Sequence, residues 1–289
     1  MSPTLNGLIS LYAAIFLLAG NGYFAKSISI SVFDITAYRS LLAALALLVF
    51  MRIRKQSLSL LSTRHYLLSV GLALLLGLHW VTFFYSMRIS TVAVGMTALY
   101  TYPVITVFLE RLFFGRTIRL FDLMMALLVL FGIWLMGDPG SDSSAVMLEG
   151  VIWGVFSALC FAGRNVAQQR YLRHYPAQLT IFYQVLLIGL CFAPFVESSP
   201  MTLLENADNN GLKLLLLGFA FTALPHALLA NSLRVIRVKS VALIGCLQPV
   251  IGAGIAFILL GEQPSLQMMV GASLVLAASV FETLKPARI

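Results

Sequence analysis

Apolar stretches of about twenty residues recur from one end of this chain to the other, and the connections between them are too short to fold by themselves. Reading each stretch to the charge or turn residue that interrupts it predicts helices near residues 5–25, 33–51, 66–87, 92–112, 119–137, 149–169, 178–196, 212–233, 240–260 and 266–284. The segment from His65 to Arg111 is too long for one crossing and is divided at Arg88, Ser90 and Thr91. Ten crossings consume about 200 of the 289 residues, which leaves no room for a soluble catalytic domain. Composition agrees. The chain is 60% hydrophobic and 10% charged, against about 25% charged in a soluble domain, so too little polar material remains to cover a water-facing exterior. The expected class is an all-α membrane protein of ten transmembrane helices, with membrane lipids as its solvent.

The net charge of +8 is spread over short connections, where an anionic leaflet accounts for it and no nucleic acid is expected as a partner. With the N-terminus placed inside, the cytoplasmic connections hold Arg52, Arg54, Lys55, Arg64, Arg111, Arg116, Arg119, Arg170, Arg173, Arg234, Arg237, Lys239, Lys285 and Arg288. Those are fourteen of the 19 basic residues, and the opposite side collects Asp34, Asp138, Asp142, Glu149, Glu197, Glu205, Asp208 and Glu262 with few bases beyond Lys26, Arg88 and Lys213. The positive-inside rule then puts both termini in the cytoplasm and favours an even number of spans. The first stretch, Leu5 to Ala25, lacks a basic leader and is read as a retained helix. Cys160, Cys191 and Cys246 lie far apart within apolar runs, which suits core thiols better than disulfides or metal ligands. No ATP-binding loop, zincin motif or acyl-transfer triad is present, so neither a cofactor nor an enzymatic reaction is expected.

The two halves share a plan. Pro103-Val-Ile runs to Gly115 and Pro249-Val-Ile runs to Gly261, and the same offset of 146 places Arg88 on Arg234 and Leu123 on Met269. Tyr38-Arg39 falls near Tyr183-Gln184, and Ala19-Gly20 near Ala162-Gly163. The duplicated unit is five helices, 1–137 and 149–289, linked by Asp138 to Leu148. An odd number of spans per unit inserts the second copy upside down, and such inverted repeats are the usual basis of alternating access.

At these residues the chain resembles the ten-helix EamA family of the drug/metabolite transporter superfamily. The likeness rests on the two five-helix halves, Arg39 in the second helix, the Pro-led helices at Pro103 and Pro249, the run Leu260-Gly261-Glu262-Gln263-Pro264, and Gly271-Ala272-Ser273-Leu274-Val275 in the last helix. The first half departs by carrying Gly115-Arg116, and the second carries Gln184 where the first has Arg39. The resemblance implies a bacterial inner-membrane transporter of amino acids, metabolites or toxic organic compounds, driven by an ion or solute gradient, with helices packed around a central cavity. Export of a small organic solute is what the family suggests, with a proton or counter-solute as the coupling partner and no obligate protein partner.

Polar side chains at membrane depth need a partner, a cavity or a route to the interface. Arg39 lies about 9 Å from the end of its helix, within snorkelling reach, so anchoring and solute contact are both open. His79, Trp80 and Tyr85 with Tyr100 and Tyr102 form an aromatic and polar group, and His79 and His226 fall one position apart when the halves are aligned. Asn165, Gln168 and Tyr183 supply similar material from the second half, beside Trp153 and Phe161. Asn21, Asn231 and Gln248 are amides within apolar helices that serve equally as helix glue or as solute ligands. Pro103, Pro225 and Pro249 are expected to bend their helices. Gly150, Gly154, Ala158 and Ala162 recur every fourth residue and predict a close helix contact, with Arg164 following among the polar residues that end that helix. An intramembrane lipid-acting enzyme would require paired acids or a metal set, which scarce acids and scattered histidines do not supply. A non-transporting receptor or assembly protein is the alternative if His79, Trp80, Tyr100 and Asn231 face lipid or closely packed helices.

Overall fold

The computed structural model describes residues 3–115, 117–136, 143–172, 174–205, 209–232 and 244–284. Among them the long elements are α1 (Pro3–Ala19), α2 (Asn21–Ser27), α3 (Val32–Ile53), α4 (Thr63–Ile89), α5 (Val92–Leu99), α6 (Tyr102–Phe114) and α7 (Leu120–Met136). There follow α8 (Ser144–Tyr171), α9 (Ala177–Phe192), α10 (Pro200–Glu205), α11 (Asn210–Gly218), α12 (Leu224–Ser232), α13 (Gln248–Leu260) and α14 (Leu266–Leu284). Among the described residues seven helical stretches are long and apolar enough to cross a membrane, and three shorter apolar helices, Leu120–Met136, Gln248–Leu260 and Leu266–Ala278, accompany them. The chain is an all-α, multi-span membrane protein. Of the charges used to orient it, Arg116, Asp138, Asp142, Arg173, Asp208, Arg234, Arg237, Lys239, Lys285 and Arg288 lie outside the described residues.

Several spans are interrupted, and the interruptions have local causes. The first breaks between α1 and α2 at Gly20, and the fourth at Tyr100–Thr101, directly before Pro103. The eighth passes from α11 to α12 through a π-helical turn, Phe219–Ala223, with Pro225 just beyond. Proline has no N–H for the helix ladder, and an inserted residue of this kind absorbs the misfit. The two Pro-led helices end alike. Both α6 and α13 run 13 residues with proline at their start, and each stops at a glycine in the left-handed region, Gly115 at φ 67° and Gly261 at φ 69°.

Packing is led by α4 on α8, α7 on α14, α3 on α9 and α1 on α12. The small-residue face expected on α8 is present. Gly150, Gly154, Ala158 and Ala162 are all buried, and a Cβ at Gly154 would sit 2.5 Å from the Cβ of Ala98 on α5. Gly163 on the same helix has nothing within 4 Å of its Cβ position. Gly154→Ala is therefore expected to destabilise by about 1–3 kcal/mol through overpacking while Gly163→Ala is tolerated. Thermal melting of the purified protein in detergent checks this, and equal effects at the two sites would contradict it. The outer surfaces of α7, α13 and α14 expose Leu127, Phe131, Trp134, Phe257, Ile258 and Met269, as a lipid-facing belt requires.

Candidate functional site

Arg39 does not reach an interface. It is 2% exposed, its guanidinium carbon lies 4.2 Å from the centre of the Trp80 ring and 4.9 Å from that of Phe84, and its Nε and Nη1 have no hydrogen-bond partner. The turn of α3 nearer its start is held by the connection after α9: Asp34 accepts from the N–H groups of Glu197 and Ser198 at 3.0 and 3.2 Å, and Tyr38 donates to the Ser198 carbonyl at 2.6 Å. That cover closes the route along which a snorkelling arginine would leave.

Two histidines stand near this cation, and both lie within electrostatic reach of Arg39 and of Arg164. Ser157 donates its hydroxyl proton to the His79 carbonyl at 3.0 Å, so at the 2.7 Å contact between Ser157 and the ring it is His79 Nδ1–H that donates. His226 Nδ1 donates to the Thr222 carbonyl at 2.6 Å, a carbonyl of the π turn. The two rings thus commit the same nitrogen, which leaves each Nε2 for another partner. The His79 ring lies between Phe83 and Phe161, and Trp80 meets His226 edge-on.

Arg164 is satisfied where Arg39 is not. Its Nε donates to Gln184 at 2.7 Å and its Nη1 to Asn165 at 2.9 Å, while Gln184 donates onward to Gln168 and to the Thr180 carbonyl, both at 3.0 Å. Gln184 is wholly buried. Gln184→Leu removes the acceptor of a charged donor as well as the partner of Gln168, and is expected to lower stability by about 2–3 kcal/mol. A fall in melting temperature no larger than that of a surface substitution would contradict that role.

Other expected residues are placed elsewhere. Tyr100 donates to the Gly245 carbonyl and contacts Gln248, so these two join α5 to the start of α13. Tyr102 meets Phe161 edge-on and borders the centre. Tyr85 turns toward Trp153 on the outer face of α8, and Tyr183 donates to the Leu58 carbonyl, fastening the connection between α3 and α4; neither joins the central group. Asn21 is buried at the break of the first span, with its amide donating to the Leu18 carbonyl at 2.8 Å and its Oδ1 unpartnered. The Asn231 side chain lies outside the described residues. Ser157, Thr180 and Gln184 are part of the arrangement and were not among the expected residues. The alignment of Tyr183-Gln184 with Tyr38-Arg39 was the available signal for Gln184.

At the end bearing Lys26, a second polar network joins the halves. Lys26 Nζ donates to the carbonyls of Ser90 at 2.6 Å and Arg88 at 3.1 Å, and lies 3.9 Å from Glu262. Glu262 in turn accepts from the Val92 N–H at 2.8 Å, at the start of α5. Arg88 donates to the carbonyls of Ala25 and Ile28, and Lys213 to that of Ser27. Burial pushes the Glu262 carboxyl above the usual carboxylate range, opposed by the Val92 N–H and by Lys26.

The chain thus holds a buried polar centre inside a lipid-facing bundle, with a second polar network at one end. The EamA-like transporter family matches residues 5–137 and again 148–283. The chain belongs to that family. An uncharacterized transporter of Bacillus subtilis (strain 168), YxxF, is 22% identical over 272 residues, covering 93% of this chain and 86% of that protein. An uncharacterized transporter of Archaeoglobus fulgidus is 24% identical over 208 residues, covering 72% of this chain and 73% of that one. A solved crystal structure matches with a TM-score of 0.63 at 17% identity, over 96% of this chain and 95% of its own, and shares the fold. Membership of the EamA-like family makes solute transport, not catalysis, the general function of this membrane protein.

Proposed function

We propose that this EamA-like protein moves small organic metabolites, amino acids or related compounds among them, across a bacterial inner membrane by alternating access, in the direction of export. It is built as ten spans in two inverted repeats, 1–137 and 149–289, with both termini in the cytoplasm and the Lys26 end facing outward. The observation that supports this most is the exchange symmetry of the packing. Swapping first-half spans for their second-half counterparts turns the contact of α4 with α8 into that of the eighth span with the first, which is also made, by α12 on α1. The contacts of α3 with α9 and of α7 with α14 map onto themselves. Two copies related in this way have two nearly equivalent arrangements, one open to each side.

Buried His79 and Trp80 face the bundle interior beside Arg39 and not the lipid, which favours a solute site over a purely structural bundle. A proton or a counter-solute drives the cycle. The test is counterflow in proteoliposomes with labelled amino acids, nucleobases and organic cations, with and without an imposed pH gradient. Saturable, protein-dependent exchange of at least one is expected; movement of none under any of these conditions sinks the reading.

A further inference from the structure

We infer that Arg39 is an anion-recognition residue and that the solute it takes is an organic carboxylate with an apolar body. The inference rests on the transport reading in that it treats the buried centre as the solute site. Its own support is the hydrogen-bond inventory of that centre.

A guanidinium carries five N–H donors in a planar fork and has no way to become an acceptor. Arg164 satisfies its donors with neutral amides of Gln184 and Asn165. The aligned position in the other half is reversed: Arg39 stands where Gln184 does, and no amide of the first half bonds it. Neither arginine makes an ion pair with a described acidic residue. Asp34 accepts from the backbone of Glu197 and Ser198, Asp122 accepts from the Arg119 N–H, and Glu262 serves Val92 and Lys26 at the far end. The centre therefore holds two guanidiniums, and on Arg39 the donors Nε and Nη1 have no protein partner.

A carboxylate engages a guanidinium with both oxygens along one of two edges, Nε with Nη2 or Nη1 with Nη2, and each of these edges of Arg39 carries an unpartnered donor. The Trp80 and Phe84 rings lie against this guanidinium, and its N–H groups point outward in its plane, so a ligand that accepts from them approaches along an edge. The surroundings are aromatic: Trp80 and Phe84 border the guanidinium itself, and Phe83 and Phe161 adjoin His79, the residue before Trp80. A carboxylate head with a hydrophobic body suits both surfaces, whereas an organic cation would meet two uncompensated positive charges.

Trp80 reports directly on this site. Of the three tryptophans, Trp134 and Trp153 lie toward lipid and can be replaced by phenylalanine, leaving Trp80 beside the guanidinium as sole emitter. The purified full-length protein is titrated with a matched set of probes: 3-phenylpropanoate, 3-phenylpropanamide, phenethylamine and phenylalanine. Saturable change of Trp80 emission is expected with the carboxylates, about tenfold or more weaker with the neutral amide, and absent with the amine. Arg39→Gln should abolish the carboxylate response and Arg39→Lys, which keeps the charge but not the fork, should weaken it. Equal or better binding of the amide or amine, a carboxylate response that survives Arg39→Gln, or no carboxylate response in the unsubstituted site overturns the inference. The probe comparison does not depend on any arginine variant folding. Counterflow of the same compounds separates the two readings. Carboxylate binding without flux keeps the anion site and removes transport, and flux of phenethylamine without carboxylate binding does the reverse.

Discussion

Arg39→Met is expected to make the purified protein more resistant to heat and, at the same time, unable to transport. A lone buried guanidinium retains a desolvation penalty of several kcal/mol. Its contacts with Trp80 and Phe84 offset part of that, at about 1–2 kcal/mol each when desolvated. With Nε and Nη1 unbonded, the balance stays unfavourable without solute. Methionine has comparable length, adapts its shape and packs well on aromatic rings, so the substituted centre gains on the order of 1–4 kcal/mol. Arg164→Met should act in the opposite direction, since it strands Gln184 and Asn165 as unpaired acceptors in a buried network. Melting curves and counterflow on the two variants decide the matter. If Arg39→Met lowers the melting temperature and leaves transport intact, Arg39 is a structural anchor and the functional reading of it fails.

That contrast between two arginines was only partly visible in the chain itself. The apolar windows locate the helices, because a helix in lipid must be largely apolar, but among the described residues seven are long enough to cross a membrane, and the breaks at Gly20, Tyr100–Thr101 and Phe219–Ala223 depart from continuous spans. The α8 helix also departs, starting at Ser144 within the expected link. The glycine face of α8 and the Pro-to-Gly extents of α6 and α13 were legible for the same reason: they are local patterns with local causes. Arg39 was ambiguous because its distance from the helix end says nothing about what covers that end. The cover comes from residues about 160 positions later, through Asp34 and Tyr38. Tyr85 and Tyr183 show the converse failure. Both have the right residue type at the right depth, but Tyr85 packs edge-on against Trp153 and Tyr183 is tied to a connection. Lys26, Arg88 and Glu262 could be assigned a side from charge alone, yet their mutual bonding is a product of tertiary packing that spacing does not encode.

Under the proposed alternating-access cycle, the network at the Lys26 end leads to a second large effect, on the balance between closed and open forms. The ion pair itself, at 3.9 Å with both side chains partly exposed, contributes little; the short bonds to the Ser90 carbonyl and from the Val92 N–H carry the closure. Glu262→Ala leaves the first N–H of α5 without its charged acceptor, a loss of about 1.5–3 kcal/mol, which shifts the equilibrium toward the open form by about tenfold or more. Glu262→Gln keeps a neutral acceptor for Val92 and is expected to stay closed. The pH dependence follows from the direction of the Glu262 shift. Burial raises its pKa in the closed form, whereas an opened end would return it to water, so the closed form binds the proton more tightly. Acidification through the raised value therefore favours closure. The ionised carboxylate at higher pH favours opening, against the hold of Lys26, with Arg88 and Lys213 the other charged groups of this network. Labelling of Thr97→Cys by a membrane-impermeant maleimide, in a background lacking Cys160, Cys191 and Cys246, measures this because Thr97 is buried on α5 beneath the network. Labelling should fall as pH is lowered from about 8 to about 5, rise at every pH in Glu262→Ala, and lose its pH dependence in Glu262→Gln. A pH dependence that persists in the glutamine variant would assign the effect to another group and remove Glu262 from the closure.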